Sequence, residues 1–463
     1  MNEKNADCHI ILPIEVKKRE LISKILLSVH FVNDGHPVII GDRGGCFREL
    51  SFVNKSIYLA KSLSIGLRPT FNKVKEQNGK TLVLFEEGGY VLRENNKNEE
   101  LKSFYPKEML PYVDVIMTYG KGYQDLLIES FPELNSSNTF VSGNARFDLH
   151  KPKYHELYSK EISEIKSKYG EYILINTNFG LANHVLGDEY IINEFKKSLD
   201  FTSDLVTYYT EMQNDQKKDH RDFVSMINTI ALEFPNQNFV VRPHPIENKE
   251  FYISSFSDLK NVFIKSNGSA TPWILGSKII IHKDCTTGLE SSFAKKPIIS
   301  YQPTNDPNIL WLPPLVSDVA HTKQEIITKI SSYINNNQEF KITEENRNII
   351  ANEVENVKNF TPELIINLIR ELKNEKTITT KRKTGLTNKL KTTTFKFYKR
   401  SRNYIGWLKR KYLKNDYYSK SFEGLRISEV QYYFDKMKNI ENMDFNYTVR
   451  KKGINTFLIE RKH

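Results

Sequence analysis

The 463 residues are 39% hydrophobic and 27% charged, which suits a soluble chain of two or more ordinary domains. Three scattered cysteines (Cys8, Cys46, Cys285) exclude a disulfide scaffold or zinc ribbon, no signal peptide opens the chain, and no run approaches the ~18 apolar residues of a membrane span, so a cytoplasmic protein is expected. The net charge of +11 is unevenly placed: residues 376–463 carry 23 Lys and Arg against 7 Asp and Glu, a net of +16, and the remainder is −5.

His9–Pro13 is a short apolar run. Glu15–His30 has apolar residues at helical spacing, Asp34-Gly35-His36 is a turn, and Pro37–Ile40 is a second apolar run. This βαβ pattern predicts a parallel sheet. It continues through Ser56–Leu59, Thr81–Phe85, Val113–Thr118 and Thr139–Ser142, and His155–Lys168 reads as a charged helix. A second series runs from Tyr172–Asn176 through Asn238–Arg242, Asn261–Ile264, Lys278–His282 and Pro297–Tyr301. It has a long helical stretch, Asn193–Phe234, and closing helices Gln324–Asn335 and Pro362–Asn374. The expected fold is α/β: two Rossmann-like domains facing a cleft, residues 1–165 and 166–375, then a basic helical C-terminal extension over 376–463.

Ligands of such sheets bind beyond the carboxyl ends of the strands, and polar motifs stand there. Glu86-Glu87-Gly88-Gly89 follows Thr81–Phe85, with one carboxylate facing the cleft because successive side chains alternate; a solvated acidic turn is the alternative. Ser142-Gly143-Asn144-Ala145-Arg146-Phe147-Asp148 holds an arginine whose planar fork suits a carboxylate or phosphate. Its aspartate can serve as nucleophile or base, or the whole can be a surface turn held by an Arg–Asp pair. Asn176-Thr177-Asn178 offers groups for substrate hydroxyls, or Asx-turn and cap chemistry. Arg242-Pro243-His244-Pro245 holds an imidazole rigidly, fit to hydrogen-bond a phosphate or base. Thr286-Thr287-Gly288 sits at a helix start, where hydroxyls and N–H groups make an anion site, and Glu290 lies one turn in for ribose hydroxyls. A plain N-cap is the alternative there.

In this order, ILPIEVKKREL, GHPVIIGDR, EEGG, SGNARFD, NTNFG, RPHPIEN and CTTGLE, spread over Ile10–Pro303, resemble the bacterial surface carbohydrate biosynthesis protein family. More widely the chain is similar to retaining Kdo transferases of capsule and lipopolysaccharide assembly, and more distantly to GT-B sialyltransferases. Phe85 stands where the wider family often has Asp, and Ala145 where it often has Pro. The resemblance implies a GT-B-like, retaining glycosyltransferase. It would move Kdo or a related nonulosonate from a CMP-sugar to a capsule or O-antigen acceptor, with His244, Pro245, Thr286 and Thr287 holding CMP. Arg242, Gly288, Glu290, Asn176 and Asn178 complete the expected donor site.

CMP carries less charge than UDP, and hydrogen-bonding groups can hold its phosphate without a metal. The sequence has no Asp-x-Asp and no His/Cys cluster at metal-ligand spacing, so neither a metal nor another cofactor is expected. Retention by double displacement needs a carboxylate nucleophile and an acid/base group, placed about 5 Å apart in the glycosidase template. Asp148 is expected as nucleophile and Glu87, or Glu86, as acid/base. Arg146 or Arg19, with Asn144, is expected at the sugar carboxylate, and Glu15 near the acceptor. Lys376–Asn415 holds 14 basic and no acidic residues, interleaved with aromatics, the composition of an interfacial membrane segment. Peripheral attachment to an anionic inner membrane surface, beside a lipid-linked glycan acceptor, is expected, and no nucleic acid. Two rival readings stay open: a CDP-glycerol or CDP-ribitol phosphotransferase, which needs no carboxylate nucleophile, and a non-catalytic polyanion-binding scaffold.

Overall fold

The structure, a computed structural model, describes residues 8–85, 91–93, 101–102, 104–197, 202–304, 309–335, 339–374, 422 and 424–462. The apolar runs of the first half become β1 (His9–Ile14), β2 (Val38–Asp42), β3 (Ser56–Ala60), β4 (Lys80–Leu84), β5 (Val91–Arg93), β6 (Val115–Thr118) and β7 (Thr139–Val141). Those of the second half become β8 (Tyr172–Asn176), β9 (Asn238–Arg242), β10 (Val262–Ile264), β11 (Ile279–His282), β12 (Ile298–Tyr301), β13 (Ile309–Trp311) and β14 (Asp318–Ala320). The chain closes with β15 (Tyr447–Lys451) and β16 (Thr456–Arg461).

Alternate residues of these strands serve opposite faces. Ile11, Ile39, Tyr58, Val83 and Ile116 pack on one side of the first sheet, whereas Ile10, Leu12, Ile40, Leu59 and Leu82 join a larger core on the other. That larger core continues into the second half through Leu174, Val240 and Ile280, while Ile173, Ile175, Val241 and Ile281 face outward under helices. Burial on both faces is why these strands read as continuous apolar runs.

The first sheet has the order β15-β16-β2-β1-β3-β4-β6-β7 and the second β10-β9-β8-β11-β12-β14. The second is parallel throughout, and so is the first from β2 to β7. The fold is therefore the expected two-sheet, GT-B-like α/β arrangement. In each sheet the first strand of the series lies inside. Strand order reverses between β1 and β3, and again between β8 and β11; such reversals open a crevice at the carboxyl ends.

Six helices bear on the strand-end residues and on the closing of the chain: α1 (Lys17–Asn33), α2 (Ala145–Asp148), α3 (Ser203–Glu233), α4 (Thr286–Phe293), α5 (Thr361–Asn374) and α6 (Ile427–Ile440). Val16, ahead of α1, has no side chain to cap it; buried Glu20 instead accepts the N–H groups of Glu15 and Val16 at 2.8 and 3.0 Å.

The chain leaves the second half earlier than the expected boundary at 375. Glu355 N already bonds the carbonyl of Tyr119 at 2.7 Å, and Ile365 and Ile369 of α5 sit in the core around α1. The expected extension over 376–463 is corrected as well, because 424–462 complete the first sheet. Val430, Phe434 and Met437 lie one helical face apart on α6 and are buried, as are Phe457, Leu458 and Ile459 of β16, which pairs antiparallel with β2. The basic stretch Lys376–Asn415, on which membrane attachment was expected, lies outside the described residues. No described helix is long and apolar enough to cross a membrane.

Candidate functional site

The carboxyl ends of the two sheets face each other. Phe147 of α2, just beyond β7, stacks on Phe293 of α4 with ring centroids 5.6 Å apart. Strand β5, beyond β4, pairs antiparallel with β13, beyond β12.

At the reversal of the first sheet, Glu15 follows β1. Its carboxylate meets Arg43 Nη1 and Lys61 Nζ, each at 3.1 Å, and Lys61 also reaches buried Glu20 at 3.1 Å. Arg43 follows β2 and Lys61 follows β3, so four charges of both signs close this end of the sheet. A buried lysine is tolerated there because two carboxylates compensate its lost hydration. Arg19, expected beside the substrate, lies half-buried in the first turn of α1. Lys61 and Arg43 were missed in the sequence; the only signal was their place directly after a strand.

At the reversal of the second sheet, Asn176 closes β8 and donates to Thr287 Oγ1 at 3.0 Å, spanning the two strand ends. Asn178 Nδ2 lies 3.5 Å from Asp284 Oδ1. Thr286 and Thr287 open α4 half-buried; Cys285 ahead of them offers no side-chain cap, but its carbonyl accepts the N–H of Gly288 at 2.9 Å and its thiol faces the N–H and hydroxyl of Thr287. Gly288 rests on the His282 imidazole: a Cβ there would fall 2.4 Å from Nε2, so no larger residue fits. Burial holds His282 at about 3, so it is neutral beneath the helix, with Nε2 at 2.9 Å from Ser317 Oγ.

On the neighbouring strand, His244 is half-buried and Pro245 exposed. His244 N donates to Glu247 at 2.9 Å, and its Nδ1 accepts the N–H of Ile246 at 3.5 Å. A neutral imidazole accepting at Nδ1 carries its proton on Nε2. Lys283 is buried between Asp219 at 2.6 Å and Asp284 at 3.2 Å. Arg242, expected at the donor, donates to the carbonyls of Asn267 and Gly268 at 3.0 and 3.2 Å and lies over Trp273 at 5.0 Å. Burial lowers its guanidinium to about 10, and its two bonds brace the loop after β10. Among the described residues no three His, Cys, Asp or Glu side chains are grouped to hold a metal.

The SGNARFD segment departs most from its expected role. Asp148, expected as nucleophile, is fully buried. Its Oδ2 accepts the N–H of Thr361 at 3.2 Å, and Oδ1 lies 2.7 Å from Lys151 Nζ. An aspartate at a helix start satisfies an otherwise orphaned N–H, and Asp148 does this for α5. Asn144, expected at the sugar, exchanges two bonds with the side chain of Asn356 through its backbone N–H and carbonyl, at 2.7 and 3.0 Å, and its side-chain oxygen accepts Arg146 N at 2.9 Å. Gly143 has φ +67°, and Asn356 Oδ1 would lie 2.6 Å from a Cβ there. The segment is a socket for the returning chain. Arg146, expected at the sugar carboxylate, pairs with Glu290, expected at the ribose, and His150 Nε2 is 3.8 Å from the same carboxylate. Glu86 and Glu87 lie outside the described residues.

No family model matches the sequence, and no curated protein matches it. The chain is similar to several solved structures. UDP-GlcNAc 2-epimerase from Neisseria meningitidis bound to UDP-GlcNAc shares 12% identity with a TM-score of 0.48, over 79% of this chain and 99% of that one. The S. aureus MnaA–UDP co-structure gives 12% and 0.46, over 82% and 100%. The wall teichoic acid polymerase TagF gives 10% and 0.49, over 81% and 91%.

Proposed function

We propose that the chain is a nucleotide-dependent transferase of surface-glycan assembly that seats its donor over the reversal between β8 and β11. The observation that carries this reading is the grouping of uncharged polar side chains there: Asn176 bridged to Thr287 at the start of α4, and the His244 ring on the adjacent strand end. A helix start with hydroxyls favours an anionic phosphate. The described cations around it already hold partners: Lys283 two aspartates, Arg242 two carbonyls, Arg146 Glu290. Phosphate binding then falls to neutral donors, which suits the singly charged phosphodiester of a CMP-sugar better than a pyrophosphate. The strand-end motifs resembling those of Kdo transferases support a CMP-activated sugar acid as donor and a lipid-linked glycan as acceptor. The Glu15–Lys61–Arg43 network at the opposite reversal is the acceptor-side candidate.

A second reading, a CDP-glycerol-type phosphotransferase, draws support from the burial of Asp148. Attack of an acceptor hydroxyl on phosphorus needs no carboxylate nucleophile. Calorimetry of the full chain with CMP, CDP, UDP and GDP, without added metal, separates the two, since a ligand of the native state also raises its melting temperature by mass action. CMP is expected to bind best, and His244→Ala to weaken it at least tenfold, about 1.4 kcal/mol. Preference for CDP moves the assignment to the phosphotransferase. Preference for UDP or GDP, or unaltered CMP binding in His244→Ala, sinks the site.

A further inference from the structure

Three residues beyond His244 the chain buries a carboxylate. Glu247 accepts the Thr177 hydroxyl at 2.8 and 3.0 Å, the N–H of His244 at 2.9 Å and the hydroxyl of Tyr252, and the N–H of Phe179 faces it too. Burial pushes its carboxyl above the usual range, and these donors pull the other way. Thr177 and Phe179 belong to the segment after β8, His244 to the one after β9, and Tyr252 to the helix Lys249–Ser255. Behind Tyr252 stands His220 of α3, Nε2 to hydroxyl 3.0 Å. The single hydroxyl proton of Tyr252 goes to Glu247, so the oxygen accepts from His220 Nε2–H. Burial holds His220 at about 4, neutral at pH 7 and able to play that part. The two loops are also laced by backbone bonds, Val185 N to Ile246 O and Asn248 N to Asn183 O, both 2.8 Å.

We infer that Glu247 is a positioning residue of the nucleotide site: by gripping the His244 backbone and the Thr177–Phe179 turn together, it aims the His244 Nε2–H at the ligand phosphate or base. The inference rests on the assignment of His244 as a ligand donor. Glutamine at 247 keeps the shape but has one acceptor oxygen for the N–H groups of His244 and Phe179, and its NH2 is accommodated only if the Thr177 or Tyr252 hydroxyl reverses to accept, so the network that holds His244 is rearranged.

The test reads CMP affinity by calorimetry and the His244 ring nitrogens by NMR in the full chain. Glu247→Gln is expected to weaken CMP at least tenfold and to shift the His244 ring resonances, with the far-ultraviolet circular dichroism unchanged. Glu247→Asp, which keeps the charge, is expected to recover part of the affinity. A folded Glu247→Gln variant with wild-type affinity and unshifted His244 resonances overturns the inference. Should Glu247→Gln fail to fold, Tyr252→Phe decides, since it spares the carboxylate and removes one donor. A several-fold loss with shifted resonances supports the role, and no change overturns it. Loss in His244→Ala but not in Glu247→Gln removes the positioning role and leaves the site standing. Loss in Glu247→Gln with none in His244→Ala removes His244 from the site, and the inference with it.

Discussion

An aspartate one turn past a Gly-Asn turn can face a substrate or cap a helix, and its local sequence is the same in both cases. Asp148 caps, because the N–H it serves belongs to Thr361, 213 positions later. Removing it leaves that N–H buried without an acceptor, at a cost of about 1–3 kcal/mol. Asp148→Ala is therefore expected to lower the melting temperature while CMP affinity stays within about twofold. A variant that melts like the wild type yet has lost turnover would restore the nucleophile. The same contrast decides what was legible. Asn176, His244 and Thr286 stand at strand ends that the sequence itself marks, so their place in the second-sheet crevice was readable. Arg146 stands past a strand end and Glu290 one turn into α4, but their mutual pairing across 144 positions was not readable. Glu247 was overlooked although it lies in the same motif as His244, because a carboxylate beside a proline-rich turn reads as solvated until its donors are seen.

At the level of elements, the apolar parallel strands were legible because burial on both faces writes a continuous hydrophobic run. Helix α6 and the hairpin β15–β16 were not, since their apolar residues alternate with Lys and Arg in a stretch whose net charge of +16 dominates the pattern. Their docking turns on Glu441 at the end of α6. It accepts from Tyr154 at 2.7 Å and Lys153 at 2.9 Å, and lies 3.2 Å from His30 Nε2. Despite its burial, the bonds from His30, Tyr154 and Lys153 hold its carboxyl at about 2, below the ordinary 4.5. A carboxyl depressed in the folded state stabilises fully above its unfolded value and loses that contribution as pH falls. Here the loss runs from about pH 4.5 down to 2 and amounts to about 3 kcal/mol, of which about 2 kcal/mol is gone by pH 3. Denaturant unfolding at pH 7 and pH 3 is expected to show a smaller drop in Glu441→Gln than in the wild type; equal drops would mean that Glu441 does not anchor α6.

Across the whole molecule, the two halves are joined by the Arg146–Glu290 pair, the Phe147–Phe293 stack and the β5–β13 ladder. The charged pair is nearly closed to solvent, so deleting one partner strands the other, at a cost of about 3–5 kcal/mol. Arg146→Ala is expected to destabilise strongly and to enlarge the radius of gyration in small-angle scattering. Arg146→Met with Glu290→Leu is expected to recover most of the loss, and simple additivity of the two single changes would deny the pair any such role. The outermost partner of β2 has a consequence in time as well as in space. Arg461, on β16, donates to the carbonyl of Asn33, 428 positions earlier. At 5–20 residues per second of synthesis, the opening sheet waits about 20–90 s for that neighbour. During the wait, β2 keeps an unpaired edge, the face of α1 that α6 will cover stays wet, and the second half has every residue it needs to close first. A nascent chain of this protein is therefore most vulnerable to aggregation late in translation, with one finished sheet and one still lacking its border.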